Sequence, residues 1–272
     1  MTVPATVYIR FDVDARVHAT PRRLHAAWGH VLDLPAGISP ARARHLPSLA
    51  HRTPHDAPGP KPYCLGQMDE SPGMIGIELR ILNDHLLDTL DAWLAWGGVL
   101  PLGDGAEHTV LAAALEAQVL EQSSWEELAA TCEHNAWSIQ LLSPTVFTTR
   151  GRHSPGITPT SLATSLHSRW RRWSPQTAPT LPERAHLERL LAMEDRTHAV
   201  AVGLGMPRRD SRGRLADRRI PARAGRLRIC GPTGTPATAA FSRLMALARY
   251  TNVGSHTSYG MGVIDVIPDP LP

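Results

Sequence analysis

Three histidines and a lysine gather ahead of a strand-like run: His45, His51, His55 and Lys61. Imidazole titrates near neutrality, so it takes up or releases a proton at physiological pH. A histidine base can remove the proton of a ribose 2′-OH, which then attacks the adjacent phosphate, while a lysine or arginine stabilises the charge building on the phosphate oxygens. That chemistry requires no metal. A metal site is a competing reading, because His51 and His55 stand four apart. Pro54 breaks the helix that would align them, however, and no cysteine or glutamate lies near. A plain surface loop is the third reading. We expect no metal and no cofactor.

Three further stretches suit an anionic partner. Gly254, Ser255, His256, Thr257, Ser258, Gly260 and Gly262 form a loop of small residues ahead of an apolar run. Such a loop either cradles a phosphate backbone with its N–H groups or is a tight turn. Residues 207–226 hold eight arginines against two aspartates. Arg208, Arg209, Arg212, Arg214, Arg218, Arg219 and Arg223 read as the tip of a basic hairpin able to enter a nucleic-acid groove, or as a solvated loop. In the segment around Trp170 and Trp173, helical spacing places both tryptophans on the core face with Leu162 and Leu166. Arg169 and Arg171 then belong to the exposed side, where they can clamp phosphates.

The elements that must position these residues follow from periodicity. A strand at Val7–Val13, a helix at Pro21–Leu34, strands at Lys61–Gln67 and Met74–Leu82, a helix at Asn83–Trp96 and a strand at His108–Ala117 give the order βαββαβ. A linking helix over Ser123–Asn135 follows. The order then repeats with strands at 136–148, 197–206, 225–230 and 261–267 and helices at 160–173 and 235–250. The expectation is an α+β fold of two tandem ferredoxin-like (RRM-like) domains with a cleft between them. The domains are 1–120 and 137–272, and residues 121–136 link them.

Composition narrows the class. The chain has 272 residues, 42% of them apolar, and a formal charge of +3. No apolar run is long enough to cross a membrane, and the first ten residues lack the order of a signal peptide. Three scattered cysteines suit a reducing cytoplasm rather than a disulfide framework. Lys61 is the single lysine, and every other basic side chain is arginine, whose planar fork fits phosphate. No GxxxxGK[ST], G-x-S-x-G or HExxH motif is present, so nothing points to ATP hydrolysis, a serine hydrolase or a zinc protease.

Together the residues Val253–Val263, Leu49-Ala50-His51 followed by Pro60-Lys61-Pro62-Tyr63, and Leu142–Phe147 resemble the CRISPR repeat-processing endoribonucleases, the Cas6 family of the RAMP superfamily. The resemblance implies two ferredoxin-like domains with RNA between them. It implies metal-independent cleavage of repeat RNA in precursor transcripts to mature crRNA, by 2′-OH attack that leaves a 5′-OH and a 2′,3′-cyclic phosphate. The general base it implies is a histidine of the first domain: His51, with His45 and His55 as rivals. Lys61 would stabilise charge, with Tyr63 a further candidate. His25 and His30 on the first helix face part of the same region. The implied partners are repeat RNA, mature crRNA and other subunits of an effector complex. The alternative is a crRNA-binding subunit that does not cleave.

Overall fold

The structure is a computed structural model that describes residues 4–13, 19–57, 59–103, 109–149, 151–154, 156–205, 208–209, 215–216 and 219–269. Strand β1 (Ala5–Asp12) sends Val7, Ile9 and Phe11 into the core and leaves Tyr8 and Arg10 on the other face, as a half-buried strand does. Helix α1 (Pro21–Leu32) starts at Thr20, whose hydroxyl accepts the Arg23 N–H, with Pro21 in the first turn. A single turn, α2 (Pro40–Ala43), follows. Strands β2 (Tyr63–Ser71) and β3 (Met74–Ile81) form a hairpin. Asn83 caps α3 (Asp84–Ala95), and β4 (Val99–Leu102) and β5 (Val110–Gln122) complete an antiparallel sheet in the order β2-β3-β1-β5-β4.

The first four strands of that order are the ferredoxin-like sheet, and β4 is an addition at its edge. The sequence did not announce β4: it is four residues long and contains Pro101, which a sheet tolerates at an edge. The linking helix is also shorter than its pattern suggests. Helix α4 (Trp125–Ala129) has a complete capping box between Ser124 and Glu127 but buries only Trp125 and Leu128. Residues 131–135 supply no large apolar side chain to continue that face.

The second half contains β6 (Ala136–Thr145), a ribbon of β7 (Thr148–Thr149) with β8 (Arg152–His153), α5 (Pro159–Trp173), α6 (Arg184–Leu190) and β9 (Ala192–Gly203). Strands β10 (Arg208–Arg209) and β11 (Leu215–Ala216) pair as a second ribbon. Then come β12 (Arg219–Cys230), α7 (Pro236–Leu247), a 3-10 turn (Thr257–Tyr259) and β13 (Ile264–Pro268). The sheet order β13-β6-β12-β9 is the ferredoxin-like order again. The fold is therefore α+β with two tandem ferredoxin-like units, as the element order implied. The arginine-rich stretch is less of a loop than expected. β12 pairs with β9 from Arg219 opposite Gly203 to Cys230 opposite Ala192. Arg212, Arg214 and Arg218 lie outside the described residues.

Each sheet closes its own core. Phe11, Trp28 and Leu79 anchor the first; Trp137, Trp170 and Phe241 anchor the second. The halves meet at the segment that follows α7. Arg80, paired with Glu78 at 2.6 Å, donates to the carbonyls of Ala248 (3.0 Å) and Thr251 (3.4 Å). Thr6 Oγ1 donates to Arg249 O at 3.0 Å. The fully buried Asn252 donates through Nδ2 to Leu65 O at 2.7 Å, across the seam, and to Met261 O at 3.0 Å in its own loop. Removing that amide leaves buried carbonyls without a donor, which costs about 1–3 kcal/mol apiece. We expect Asn252→Ala to lower the midpoint of urea unfolding by the equivalent of about 3 kcal/mol. Asn252→Asp should do no better, since a buried carboxylate is an acceptor facing acceptors.

Candidate active site

The loop that enters β13 is built to hold one shape. Gly262 sits at φ 77°, and a Cβ there would collide with the Val253 carbonyl. Most of the loop's N–H groups face inward: Gly254 to Ser165 Oγ (2.8 Å), Ser255 to Val146 O (2.8 Å), Gly260 to Thr257 O (3.2 Å) and Gly262 to Pro144 O (3.0 Å). Among the described residues, the N–H groups of His256, Thr257 and Ser258 make no hydrogen bond. They open the 3-10 turn, so three consecutive donors remain for a ligand. His256 itself takes a left-handed conformation at φ 59°, and burial, then the neighbouring His153, holds its ring below the usual imidazole pKa.

Beneath the loop lies Arg169. It is 4% exposed rather than on the open side of α5. Its guanidinium donates to Ser165 Oγ (2.7 Å), Ser165 O (3.1 Å), Gly254 O (2.9 Å) and Thr257 Oγ1 (3.4 Å). Its hydrogen-bond partners are all neutral. Desolvation lowers its pKa, yet a guanidinium stays charged. Helix α5 orients it: Thr158 caps the helix, while Leu162, Leu166 and Trp170 bury one face. Arg171 is exposed.

Above the loop runs a column of rings that crosses from one half to the other. Tyr259 packs on His25 with centroids 4.1 Å apart, and His25 stacks on His55 at 4.6 Å. His25 comes from the buried face of α1, His55 from the segment before β2. His55 Nδ1 lies 2.8 Å from Asp33 Oδ2, and Lys61 Nζ lies 2.9 Å from the same oxygen. Lys61 also donates to Pro54 O at 2.6 Å, and Tyr63 Oη donates to Asp33 Oδ1 at 3.2 Å. The Asp33 carboxylate, almost fully buried, thus organises three side chains. Gly29, one turn beyond His25, lets His55 approach α1, since a Cβ there would collide with the His55 ring. Burial, then repulsion from His55, pushes the His25 pKa down to about 4. Its Nδ1 is buried without a partner. Burial followed by Asp33 holds the Tyr63 hydroxyl far above the usual phenol range, so Tyr63 stays protonated.

The residues anticipated from the sequence separate. Lys61 and Tyr63 join the Asp33 cluster. His51 stacks on His85 with centroids 3.5 Å apart and lines a small separate cavity with Pro47 and Thr89. His45 is exposed. Arg223 is engaged by Thr197 (2.8 Å) and Asp195 (3.4 Å) on β9, and Arg219 opens β12. Of Arg208 and Arg209 the structure describes the backbone pairing. Asp33 and Tyr259 were missed. The signal for the first was a glycine in the buried face of a helix, which marks close approach of another group. Lys61, Arg169 and the 254–259 loop line one cleft of about 1000 Å³, whose wall along α5 is largely Ser and Thr. No described group of three His, Cys, Asp or Glu side chains is placed to hold a metal ion. No helix among the described residues is long and apolar enough to cross a membrane.

Two ferredoxin-like units, with a glycine-rich loop at their junction facing a histidine of the first helix, define a tandem ferredoxin-like protein. Residues 139–264 match the family model of the CRISPR-associated endoribonuclease Cas6. A Thermus thermophilus Cas6 superposes with a TM-score of 0.61 at 24% identity, over 98% of this chain and 99% of that one. Its product complex gives a TM-score of 0.72 at 25% identity over 98% and 100%. A second Cas6 product complex is 18% identical over 97% and 99%, with a TM-score of 0.67, and supports the fold. Comparison with curated proteins returns no match. The chain is thus similar to CRISPR-associated Cas6 endoribonucleases, in sequence over residues 139–264 and in fold over nearly its whole length.

The neutral His25 has a consequence for stability. Its pKa is about 4 in the folded chain against an ordinary 6.5. Between those values the unfolded chain binds the proton and the native one does not. The stabilisation is therefore complete above pH 6.5 and lost as pH falls toward 4. Tm measured across that window should decline more steeply for the wild type than for His25→Phe, which keeps the ring and removes the titration.

Proposed function

We propose that this chain cleaves CRISPR repeat RNA within precursor transcripts to give crRNA, without a metal, and that His25 is the base. The observation that carries the reading is the Tyr259–His25–His55 column at the junction of the two halves, beside the hydroxyl-lined cleft. His25 is neutral at physiological pH, as a base must be, and its Nδ1 has no competing partner. In the free protein that atom is buried, so RNA entry moves the Tyr259 ring aside.

In this mechanism Nδ1 takes the proton of the 2′-OH at the cut. The 2′ oxygen forms a bond to phosphorus, and the bond from phosphorus to the 5′ oxygen breaks. A 2′,3′-cyclic phosphate and a 5′-OH result. His55, fixed through Nδ1 on Asp33, presents Nε2 and supplies the proton that the leaving oxygen takes up. Lys61 and the three open N–H groups of 256–258 counter the charge on the phosphate oxygens. Arg169, Ser255 and the 208–223 arginines contribute to holding the repeat. His51 and His45 remain rivals for the base. His51 also has a lowered pKa, from desolvation and then His85, and it lines a separate cavity.

Single-turnover cleavage of the repeat RNA separates these assignments. In EDTA the wild type should cut at its usual rate, and an RNA with 2′-H at the cut should stay intact. His25→Ala should slow cleavage about 100-fold or more with RNA affinity retained, while His51→Ala and His45→Ala stay near wild type. A slow His51→Ala beside a normal His25→Ala moves the base to His51. Tight binding without any cleavage by the wild type would identify a non-cleaving crRNA subunit instead.

A further inference from the structure

Tyr259 lines two cavities. One is the cleft shared with Lys61 and Arg169. The other is a pocket of about 290 Å³ bounded by α1, β2 and β6, which no step of cleavage uses. Its apolar wall comes from the buried side chains of Leu24, Leu65 and Ile77. Gln67 and Leu142 also line it; Gln67 is exposed, and Leu142 is 42% exposed, unusual for a leucine. The ladder of β2 against β3 shifts between Leu65 and Met68, so Gly66 and Gln67 fall out of the pairing. Such a bulge re-aims a side chain. Gly66 is required there, since a Cβ would collide with the Glu78 side chain. On the facing loop Gly260 takes φ 81°, and a Cβ on it would come within 3.9 Å of the Gly66 carbonyl. Two glycines therefore leave the space between β2 and the loop open.

The pocket thus offers apolar walls, a phenol ring and one side-chain amide. None of its described lining residues is charged, so it does not suit a phosphate. The set suits one flat, unpaired nucleobase, held by stacking and read along its edge. A glutamine amide donates and accepts at once, which matches N7 and N6 of adenine. We propose that this pocket takes an unpaired adenine beside the cut, and that the Tyr259 ring leaves His25 to stack on it. The inference rests on the reading of this chain as a repeat-RNA endoribonuclease. In the free protein the phenol packs on His25, and His25 Nδ1 is buried. A docked adenine gives the ring a second stacking partner, so an RNA that carries it uncovers the general base. An RNA without it leaves His25 covered. Discrimination therefore falls on the rate of cutting more than on affinity, as in induced fit.

Single-turnover cleavage of repeat RNAs made abasic, in turn, at each unpaired nucleotide flanking the cut tests this. One position should slow the wild type about tenfold or more, and uracil there should act like the abasic site. Gln67→Ala should cut the adenine and uracil RNAs at one rate. Leu142→Asp should cut the intact RNA no faster than the wild type cuts the abasic one. Tyr259→Ala, which leaves His25 open, should cut abasic and intact RNA alike. 2-Aminopurine carried through the same positions, in an RNA with 2′-H at the cut, reports docking without cleavage. Its fluorescence should change at one position on binding the wild type and at none on binding Leu142→Asp. Cleavage with no sensitive position overturns this inference alone. So does an adenine preference that survives Gln67→Ala, or an abasic penalty that survives Tyr259→Ala. An aminopurine response from a chain that leaves every RNA whole overturns the cleavage reading alone. A chain that does not bind the repeat overturns both.

Discussion

One buried amide sets the geometry on which the site depends. Asn252 bonds the glycine-rich loop to the Leu65 carbonyl of β2, and Arg80 bonds the preceding turn to β3. These contacts fix a segment of the second half against two strands of the first. Everything at the cleft inherits that registration: Tyr259 over His25, the open N–H groups of 256–258, and Arg169 beneath them. Hydrophobic burial holds each core together separately, but its lack of direction cannot align one core with the other. Directional bonds at the junction do that.

Arg169 illustrates a different principle. A charged group removed from water without a counter-charge is costly, and neutral hydrogen bonds offset only part of that cost. The chain accepts it directly under three unengaged N–H groups. A buried positive charge therefore lies against the Gly254 carbonyl and the Thr257 hydroxyl, where burial screens it from salt far less than an exposed arginine would be. The Ser and Thr hydroxyls along α5 complement it, since each rotates to donate or to accept.

Much of the fold was legible because its punctuation is local. Three helices open on threonine followed by proline, at Thr20-Pro21, Thr158-Pro159 and Thr235-Pro236, and α2 opens on Ser39-Pro40. The alternation of Val7, Ile9 and Phe11 marked the first strand in the same way. Where reading failed, long-range partners decided. Arginine and alanine in 219–224 look like loop residues until β9 pairs with them. The site was harder. Lys61 and Tyr63 could be singled out along the chain. Asp33, which gathers them, and Tyr259, which covers His25 from far along the sequence, are neighbours only after folding. Its neighbours in sequence single out His51, whereas folding is what sets His25 between His55 and Tyr259.

The ring column has a consequence for the life of the chain. Its members are made at different times: His25 early in synthesis, His55 soon after, Tyr259 more than two hundred residues later. A first half that has folded while the rest is still being translated holds its Asp33 cluster but has neither the phenol nor the 256–258 donors. The column comes into being only once Tyr259 has been made and has folded against His25. A chain stalled on the ribosome or cut by a protease before Tyr259 keeps His25 and His55 and lacks the ring that packs on them.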